Sequence, residues 1–168
     1  MDRLWSPWRL EYVTGSKADT ACALCDAPHV PAHRSLLVCE GQTCFVILNL
    51  YPYNNGHLMV VPYRHIATLA ELTPEELQEV AVLTQRSESA LVEAYGPQGI
   101  NVGINLGKSA GAGIHEHIHV HLVPRWGGDT NFMTVVGETR VLPEDLETSA
   151  SRLRPVFERL SRDGIRPQ

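Results

Sequence analysis

The clearest chemical signal in this chain comes from its histidines, because four of the eight lie between positions 115 and 121. Three of them, His117, His119 and His121, alternate with apolar residues. Side chains alternate between the two faces of a β-strand, so this spacing predicts a strand over about 116–124 with the three imidazoles on one face. Imidazoles on a common face suit metal binding, or nucleophilic catalysis by one histidine that its neighbours orient. The spacing alone leaves both interpretations open.

A second group of residues with chemical potential is the Cys22-x-x-Cys25 pair. Two thiolates at this spacing can bind one zinc ion, but a tetrahedral site needs two further ligands. A redox pair of the thioredoxin type and simple packing in a turn are the alternatives. The other two cysteines, Cys39 and Cys44, lie in apolar stretches and are predicted to be core residues. Four cysteines are too few for a disulfide scaffold, so we expect reduced thiols.

A glycine-rich segment, residues 107–113, precedes the histidines. Glycines let backbone N–H groups approach phosphate oxygens without obstruction by side chains. The segment therefore indicates a local anion site, with a flexible surface loop as the alternative.

The composition limits the classes of protein that the chain can belong to. Its 168 residues, of which 43% are apolar and 20% charged, are typical of one globular domain. The strands and helices predicted below make it an α+β domain with an antiparallel sheet. A net charge of -5 argues against binding to duplex nucleic acid or to a membrane surface. No apolar run approaches the ~20 residues that span a bilayer, and residues 1–9 do not resemble a secretory signal. We therefore expect a soluble, cytoplasmic protein.

Short strands and two helices must position these groups. Strands are predicted at Leu36–Glu40, Thr43–Asn49, His57–Pro62 and Ile100–Ile104. A long helix is predicted to begin after Thr73, where Glu76 completes a capping box, and to end at Gly96. Its buried face is predicted to contain Leu77, Val80, Ala81, Thr84, Leu91, Ala94 and Tyr95.

A second helix is predicted near the C-terminus, with an apolar stripe of Leu146, Ala150, Leu153, Phe157 and Leu160. Pro155 is expected to kink or split this helix, because proline lacks the N–H group that a helix interior uses. The expected organisation is an N-terminal arm over 1–35, the main domain over 36–142, and a C-terminal helix and tail over 143–168.

Three segments together resemble the signature of the histidine-triad (HIT) superfamily of nucleotide hydrolases and transferases: Asn101–Gly107, Ala110–Gly113 and His117–Arg125. Phe45–Asn49 and Gly56–Pro62 are similar to the nucleoside-binding strands and loop of that superfamily. Trp126, Asp129–Met133 and Thr139–Arg140 resemble a bacterial branch that includes diadenosine tetraphosphate phosphorylases. The resemblance implies a HIT-like antiparallel sheet with one long helix and a C-terminal helix.

The resemblance also implies a division of roles in the site. His119, the middle histidine, is the expected nucleophile toward the α-phosphorus, forming a nucleotidyl-imidazole intermediate. His121 and His57 are expected to contact phosphate and manage protons. Asn49 is expected to hold the ribose hydroxyls. The expected phosphate-binding groups are Asn105, Gly111, Ala112 and Gly113.

In one respect the chain departs from many members of the superfamily. They place Gln or Ser four and three positions before the first histidine, whereas here Gly113 and Ile114 occupy these positions. A side-chain donor to the leaving group is therefore missing. Backbone groups, Ser109 or Lys108 are the candidates to replace it.

Some members bind structural zinc through an N-terminal Cys-x-x-Cys, a histidine after the third strand and the first histidine of the triad. Cys22, Cys25, His65 and His117 match these four positions, and His115 stays open as an alternative ligand. The resemblance implies structural zinc, no organic cofactor, and a homodimer that joins two sheets.

The implied substrate is an adenine dinucleoside polyphosphate, diadenosine tetraphosphate in particular, cleaved by phosphorolysis in preference to hydrolysis. Hydrolysis of nucleoside phosphoramidates or aminoacyl adenylates is an alternative reaction. A non-catalytic protein that binds nucleotide or metal is the alternative of another class.

Overall fold

The computed structural model describes residues 22–29, 31, 36–129 and 144–163. Most of the predicted N-terminal arm lies outside this part of the chain. Residues 130–133 and 139–140, which were among those that resemble the bacterial branch, also lie outside it. Both predicted domain boundaries adjoin residues that are not described, so they stay a prediction. The elements are α1 (Ala23–Asp26), β1 (Leu37–Glu40), β2 (Cys44–Leu48), β3 (Leu58–Pro62), α2 (Pro74–Tyr95), β4 (Gly99–Ile104), β5 (Val120–Arg125) and α3 (Leu146–Asp163).

One antiparallel sheet of five strands forms the centre of the fold, in the order β1-β2-β3-β5-β4. The strands β2 and β3 are buried along their whole length, whereas β4 is an edge strand and Val102 is 53% exposed. The helices α2 and α3 pack against each other, α2 against β3 and α3 against β1. The prediction of an α+β domain with an antiparallel sheet, one long helix and a C-terminal helix is confirmed.

The start and end of α2 are as predicted. The Thr73 hydroxyl accepts a hydrogen bond from the backbone N–H of Glu76, and the Glu76 carboxylate accepts one from the backbone N–H of Thr73. Gly96 ends the helix with a φ of 54°, in the left-handed region that favours glycine. These are local interactions, which explains why the sequence alone was sufficient to predict them.

The buried face of α2 was predicted only in part. Leu77 is 51% exposed and Ala81 is exposed, whereas the buried residues are Glu76, Val80, Leu83, Ser87, Ala90 and Leu91. The difference arises at Glu76, whose carboxylate turns inward and accepts two hydrogen bonds from Arg64, each 2.7 Å long. Hydrogen bonding from Arg64 lowers the pKa of Glu76 to about 2. The buried face of α2 therefore includes a carboxylate, which a stripe of apolar residues does not indicate.

Two further predictions differ from the structure in part, in the start of β5 and in the possible split of α3 at Pro155. β5 begins at Val120 rather than Glu116, because the Ile118 N–H bonds to the Ile66 carbonyl at 2.7 Å, in the loop after β3, instead of continuing the strand. The helix α3 is not split, since it continues through Pro155 as one element of 18 residues. The buried side chains of α3 hold it against the core on both sides of the proline: Ala150, Leu153, Phe157 and Leu160.

Candidate active site

The middle histidine of the triad is held by one hydrogen bond to the main chain. His119 Nδ1 lies 2.8 Å from the carbonyl oxygen of His117, and only 6% of His119 is exposed. A carbonyl can only accept, so the proton of the neutral imidazole resides on Nδ1. The lone pair of Nε2 is then available for attack, which is the form that a nucleophilic imidazole requires.

Next to it, His121 belongs to a second chain of hydrogen bonds. The rings of His119 and His121 lie 4.7 Å apart and are nearly perpendicular. His57 Nε2 lies 3.0 Å from His121 Nδ1, and the backbone N–H of Tyr53 donates to His57 Nδ1 at 3.1 Å. Because His57 Nδ1 accepts, His57 carries its proton on Nε2 and donates to His121 Nδ1. His121 must therefore carry its own proton on Nε2.

Burial favours the neutral form of both His119 and His121. Burial lowers the pKa of His119 below the ordinary value of 6.5. Burial, with a smaller contribution from the neighbouring His119, lowers the pKa of His121 to about 4. The pair therefore offers an unprotonated nucleophilic nitrogen and an adjacent N–H donor, which is a suitable arrangement for reaction with an anionic phosphate.

The side of the sheet around His121 is open toward β4. Gly103 pairs directly with His121 across the two strands, and a Cβ atom at Gly103 would meet no other atom within 4 Å. Residues that pair directly in an antiparallel sheet face the same side, so the missing side chain leaves room beside the imidazole. The ring of Tyr53 covers His57 at a centroid distance of 4.9 Å.

The predicted nucleotide-binding residues lie around these histidines to different degrees. Asn49 follows β2, and its backbone N–H donates to the His57 carbonyl at 2.8 Å. Asn105 follows β4 and is half-buried. Within the described part of the chain, no hydrogen bond joins Asn105 to His57, His119 or His121. Residues 107–113 form a surface segment with a short 3₁₀ helix, Lys108–Ala110. Gly107 and Gly111 adopt φ values of 81° and 91° there, which other residues rarely adopt.

The first histidine of the triad belongs to a separate cluster. Cys22, Cys25, His65 and His117 bring their ligand atoms within 4.8 Å of one another. His117 Nε2 lies 2.9 Å from the Pro62 carbonyl oxygen, so it carries the proton and leaves Nδ1 as the ligand atom. His115 is not part of this cluster, and its Nε2 lies 3.7 Å from a carboxylate oxygen of Glu116. The three histidines that the sequence places on one face therefore divide into two groups.

The geometry of this cluster fits a tetrahedral zinc ion. The Sγ–Nδ1 distances are 3.4 Å for Cys22 and His117, 3.4 Å for Cys25 and His117, and 3.2 Å for Cys25 and His65. Zn–S bonds of about 2.3 Å and Zn–N bonds of about 2.0 Å in a tetrahedron place S and N atoms roughly 3.5 Å apart. Burial and the neighbouring Cys22 raise the pKa of the Cys25 thiol to about 11. Binding of a cation would therefore have to displace protons.

Sequence reasoning missed the contact that the turn before β3 makes with the ring of His57. Tyr53 acts through its backbone N–H, and a main-chain donor leaves no trace in the residue type. The Asn54-Asn55-Gly56 run indicates a turn, but it does not indicate that the turn holds a histidine ring.

Comparison with known proteins identifies the family. Residues 30–128, more than half of the chain, match the HIT domain. The chain belongs to the HIT domain family. This HIT protein is 41% identical to an AP-4-A phosphorylase of Mycobacterium tuberculosis over 152 residues, which cover 86% of this chain and 78% of that protein. It is 35% identical to a bis(5'-adenosyl)-triphosphatase of Dictyostelium discoideum, with 70% of this chain and 82% of that protein covered.

The solved structures agree with the sequence comparison. A Zn-bound histidine triad family protein of Mycobacterium smegmatis superposes on this HIT protein with a TM-score of 0.68 and 29% identity. The superposition covers 85% of this chain and 97% of that one. The resemblance that the triad motif indicated is thus confirmed. Among the described residues, no helix combines the length and apolar character needed to cross a bilayer.

Proposed function

We propose that this HIT protein cleaves dinucleoside polyphosphates, diadenosine tetraphosphate in particular, through a nucleotidyl intermediate on His119. The hydrogen bond from His119 Nδ1 to the His117 carbonyl carries this proposal, because it leaves Nε2 as a neutral nucleophile inside a buried site. The names of the phosphorylase and triphosphatase relatives support the substrate class.

In the first step, the lone pair of His119 Nε2 forms a bond to an α-phosphorus. The bond from this phosphorus to its bridging oxygen breaks, and ATP leaves with the electron pair. His121 donates its Nε2 proton in a hydrogen bond to an oxygen of the transferred phosphoryl group. His57 keeps that proton in place by donating to His121 Nδ1.

In the second step, an oxygen of inorganic phosphate attacks the same phosphorus and the P–N bond breaks, which restores the His119 lone pair. The products are ADP and ATP. The relation to a phosphorylase at 41% identity supports phosphate over water as the acceptor. Since Gly113 and Ile114 provide no side-chain donor to the leaving group, Lys108 and Ser109 in the adjoining segment are the candidates for this contact.

Nucleotide binding involves the surrounding segments. Asn49 binds the ribose hydroxyls from its position beside the backbone of His57. The phosphate chain lies along Asn105 and the backbone of residues 111–113, where glycine conformations open the main chain to anions.

The cysteine–histidine cluster binds one structural zinc ion, held by Cys22, Cys25, His65 and His117. Bound zinc would cross-link α1, the loop after β3 and the segment before β5. The position is separate from the reacting atoms, so its contribution to the reaction is to hold the main chain at His117. Reduced thiols are needed for this site, which supports a cytoplasmic location.

A homodimer that joins two sheets fits the exposed edge of the fold. The outer side of β4 faces away from β5, and Val102 on this strand is 53% exposed. Pairing of two β4 strands would satisfy these backbone groups. A monomer at micromolar concentration in solution would contradict this assembly.

The experiment that tests the reaction combines product analysis with rapid quenching. Diadenosine tetraphosphate is incubated with the protein, with and without phosphate, and peptide mass spectrometry locates any adenylate. We expect adenylate on His119, and ADP plus ATP when phosphate is present. His119→Ala should lose both, whereas His29→Ala, an exposed histidine distant in sequence from the site, should keep both. An active wild-type protein without adenylate on His119 would contradict the mechanism, and nucleotide binding without turnover would favour the non-catalytic alternative.

A further inference from the structure

The turn before β3 holds His57 by its ring and by its main chain. Tyr53 donates its backbone N–H to His57 Nδ1, and the Asn54 carbonyl accepts the backbone N–H of His57 at 3.2 Å. A turn with these two bonds determines both where the imidazole lies and which of its nitrogens accepts.

A buried side chain links the same turn to the C-terminal end of β5. Asn54 is 8% exposed, and its Nδ2 donates to the Pro124 carbonyl at 2.9 Å and to Asp129 Oδ2 at 2.8 Å. Asp129 is held in turn by two hydrogen bonds from Arg125, of 2.6 and 2.9 Å. A buried amide whose two N–H groups are both used gives a rigid link between the turn and the segment after β5.

We propose that Asn54 is a positioning residue that fixes the tautomers of His57 and His121. With the turn held, the Tyr53 N–H stays on His57 Nδ1, so the proton of His57 points to His121 and the proton of His121 Nε2 points away from it. If the turn shifts, His57 can carry its proton on Nδ1 and accept from His121. His121 Nε2 would then present a lone pair to phosphate oxygens, which repel it.

The effect of Asn54 on the reaction depends on the proposed function, whereas its effect on the tautomers does not. The first measurement is therefore made without substrate, by ¹H–¹⁵N spectroscopy of the histidine ring nitrogens in the full chain. For the wild-type protein we expect a protonated Nε2 and an unprotonated Nδ1 on both His57 and His121. In Asn54→Ala we expect signals averaged between the two tautomers for these two rings, with the signals of His119 unchanged.

The second measurement is the kinetics of diadenosine tetraphosphate cleavage. We expect Asn54→Ala to lower kcat by roughly tenfold or more with KM within about twofold, because a misplaced donor weakens general acid–base assistance of ~10²-fold or more. Asn54→Leu keeps the approximate size of the side chain and loses both donors without placing a charge beside Asp129, and it serves if the alanine variant does not fold. Asn55→Ala, in the same turn, is the control and should retain wild-type tautomers and kcat.

The outcomes separate this inference from the proposed function. A folded Asn54 variant with wild-type ring-nitrogen signals would overturn the positioning role, whatever its activity. Altered tautomers with unchanged kcat would overturn the catalytic part of the inference. If Asn54→Ala changes the tautomers of His57 and His121 but the wild-type protein does not cleave the substrate, the proposed function is refuted while the tautomer control by Asn54 is supported.

Discussion

His117 accepts a hydrogen bond from His119 Nδ1 at its carbonyl oxygen and presents its own Nδ1 to the thiols of Cys22 and Cys25. One residue thus belongs to two sites through different atoms. The carbonyl sets the tautomer of the proposed nucleophile, and the ring joins the proposed metal site. Because the Pro62 carbonyl fixes the other ring nitrogen of His117, the ring and main chain of this residue are both constrained.

Removal of the two thiols should remove the metal and lower stability. Elemental analysis of the wild-type protein is expected to give about one zinc per chain, and a Cys22→Ser, Cys25→Ser variant is expected to give none. Loss of a cross-link between three segments should cost about 2 kcal/mol or more, which lowers Tm by roughly 4–8 °C. Cys39→Ser is the matched control, since Cys39 lies on β1 outside the cluster. Equal zinc in the wild type and the double variant would exclude the cysteine site.

A side chain at position 103 should obstruct the site without unfolding the sheet. Gly103→Val places a branched side chain directly opposite His121, where no atom lies within 4 Å of a Cβ. We expect wild-type Tm within a few degrees and a KM for diadenosine tetraphosphate raised roughly tenfold, in line with the effect of small steric changes in binding pockets. Gly99→Val lies on the same face of β4 and also has open space, and it should leave KM unchanged. Similar kinetics for the two variants would show that substrate does not pass over Gly103.

The free energy of unfolding should decrease as the pH falls from about 6.5 to 4, in part because His121 titrates differently in the folded and unfolded chains. The pKa of His121 is about 4 in the folded protein against an ordinary value of 6.5. The unfolded chain therefore binds a proton at a higher pH than the folded one, so stability is complete above pH 6.5 and is lost as pH falls toward 4. The contribution is on the order of 3 kcal/mol.

Urea denaturation at several pH values between 7 and 4 measures this effect. His121→Asn cannot titrate, so its free energy of unfolding should decline less steeply than that of the wild type. Parallel curves for the two proteins would mean that His121 does not carry this part of the pH dependence.

Replacement of the proline inside α3 should stabilise the protein. Pro155 is exposed in the middle of an 18-residue helix, where its ring removes one helical hydrogen bond and crowds the preceding turn. Pro155→Ala should raise the free energy of unfolding by about 1–2 kcal/mol, after allowance for the greater entropy of the unfolded chain. Thermal unfolding checks this, with Ser151→Ala, also exposed on α3, as a control for helix propensity. A lower Tm for Pro155→Ala would show that the backbone has adapted to the proline.

Several features of this fold could be predicted because local interactions determine them. The Thr73 capping box and the Gly96 stop depend on residues within one helical turn, and both are as expected. The alternation that predicts β5 applies only from Val120, because the residues before it bond to a loop distant in the sequence. The prediction of the buried face of α2 was incomplete because Glu76 is buried only through its pairing with Arg64, twelve positions earlier.

The candidate site also combines features that residue types indicate with features that only the folded chain determines. The residue types of the triad and of the Cys-x-x-Cys pair indicate chemistry, and the structure brings Cys22 and Cys25 to His65 and His117. The orientation of the imidazoles depends on backbone carbonyls and N–H groups, which every residue has and which no motif records. The tautomers of these histidines are therefore determined by the folded chain and not by the motif.

The start of β5 at Val120 has a consequence for the rigidity of the nucleophile. His119 lies just outside the sheet, and its neighbour Ile118 is hydrogen-bonded to Ile66 in the loop between β3 and α2. The attacking nitrogen is therefore anchored next to a loop contact, whereas the proton donor lies within the strand pairing. The distance between the two nitrogens thus depends on how that loop packs as well as on the register of the strands.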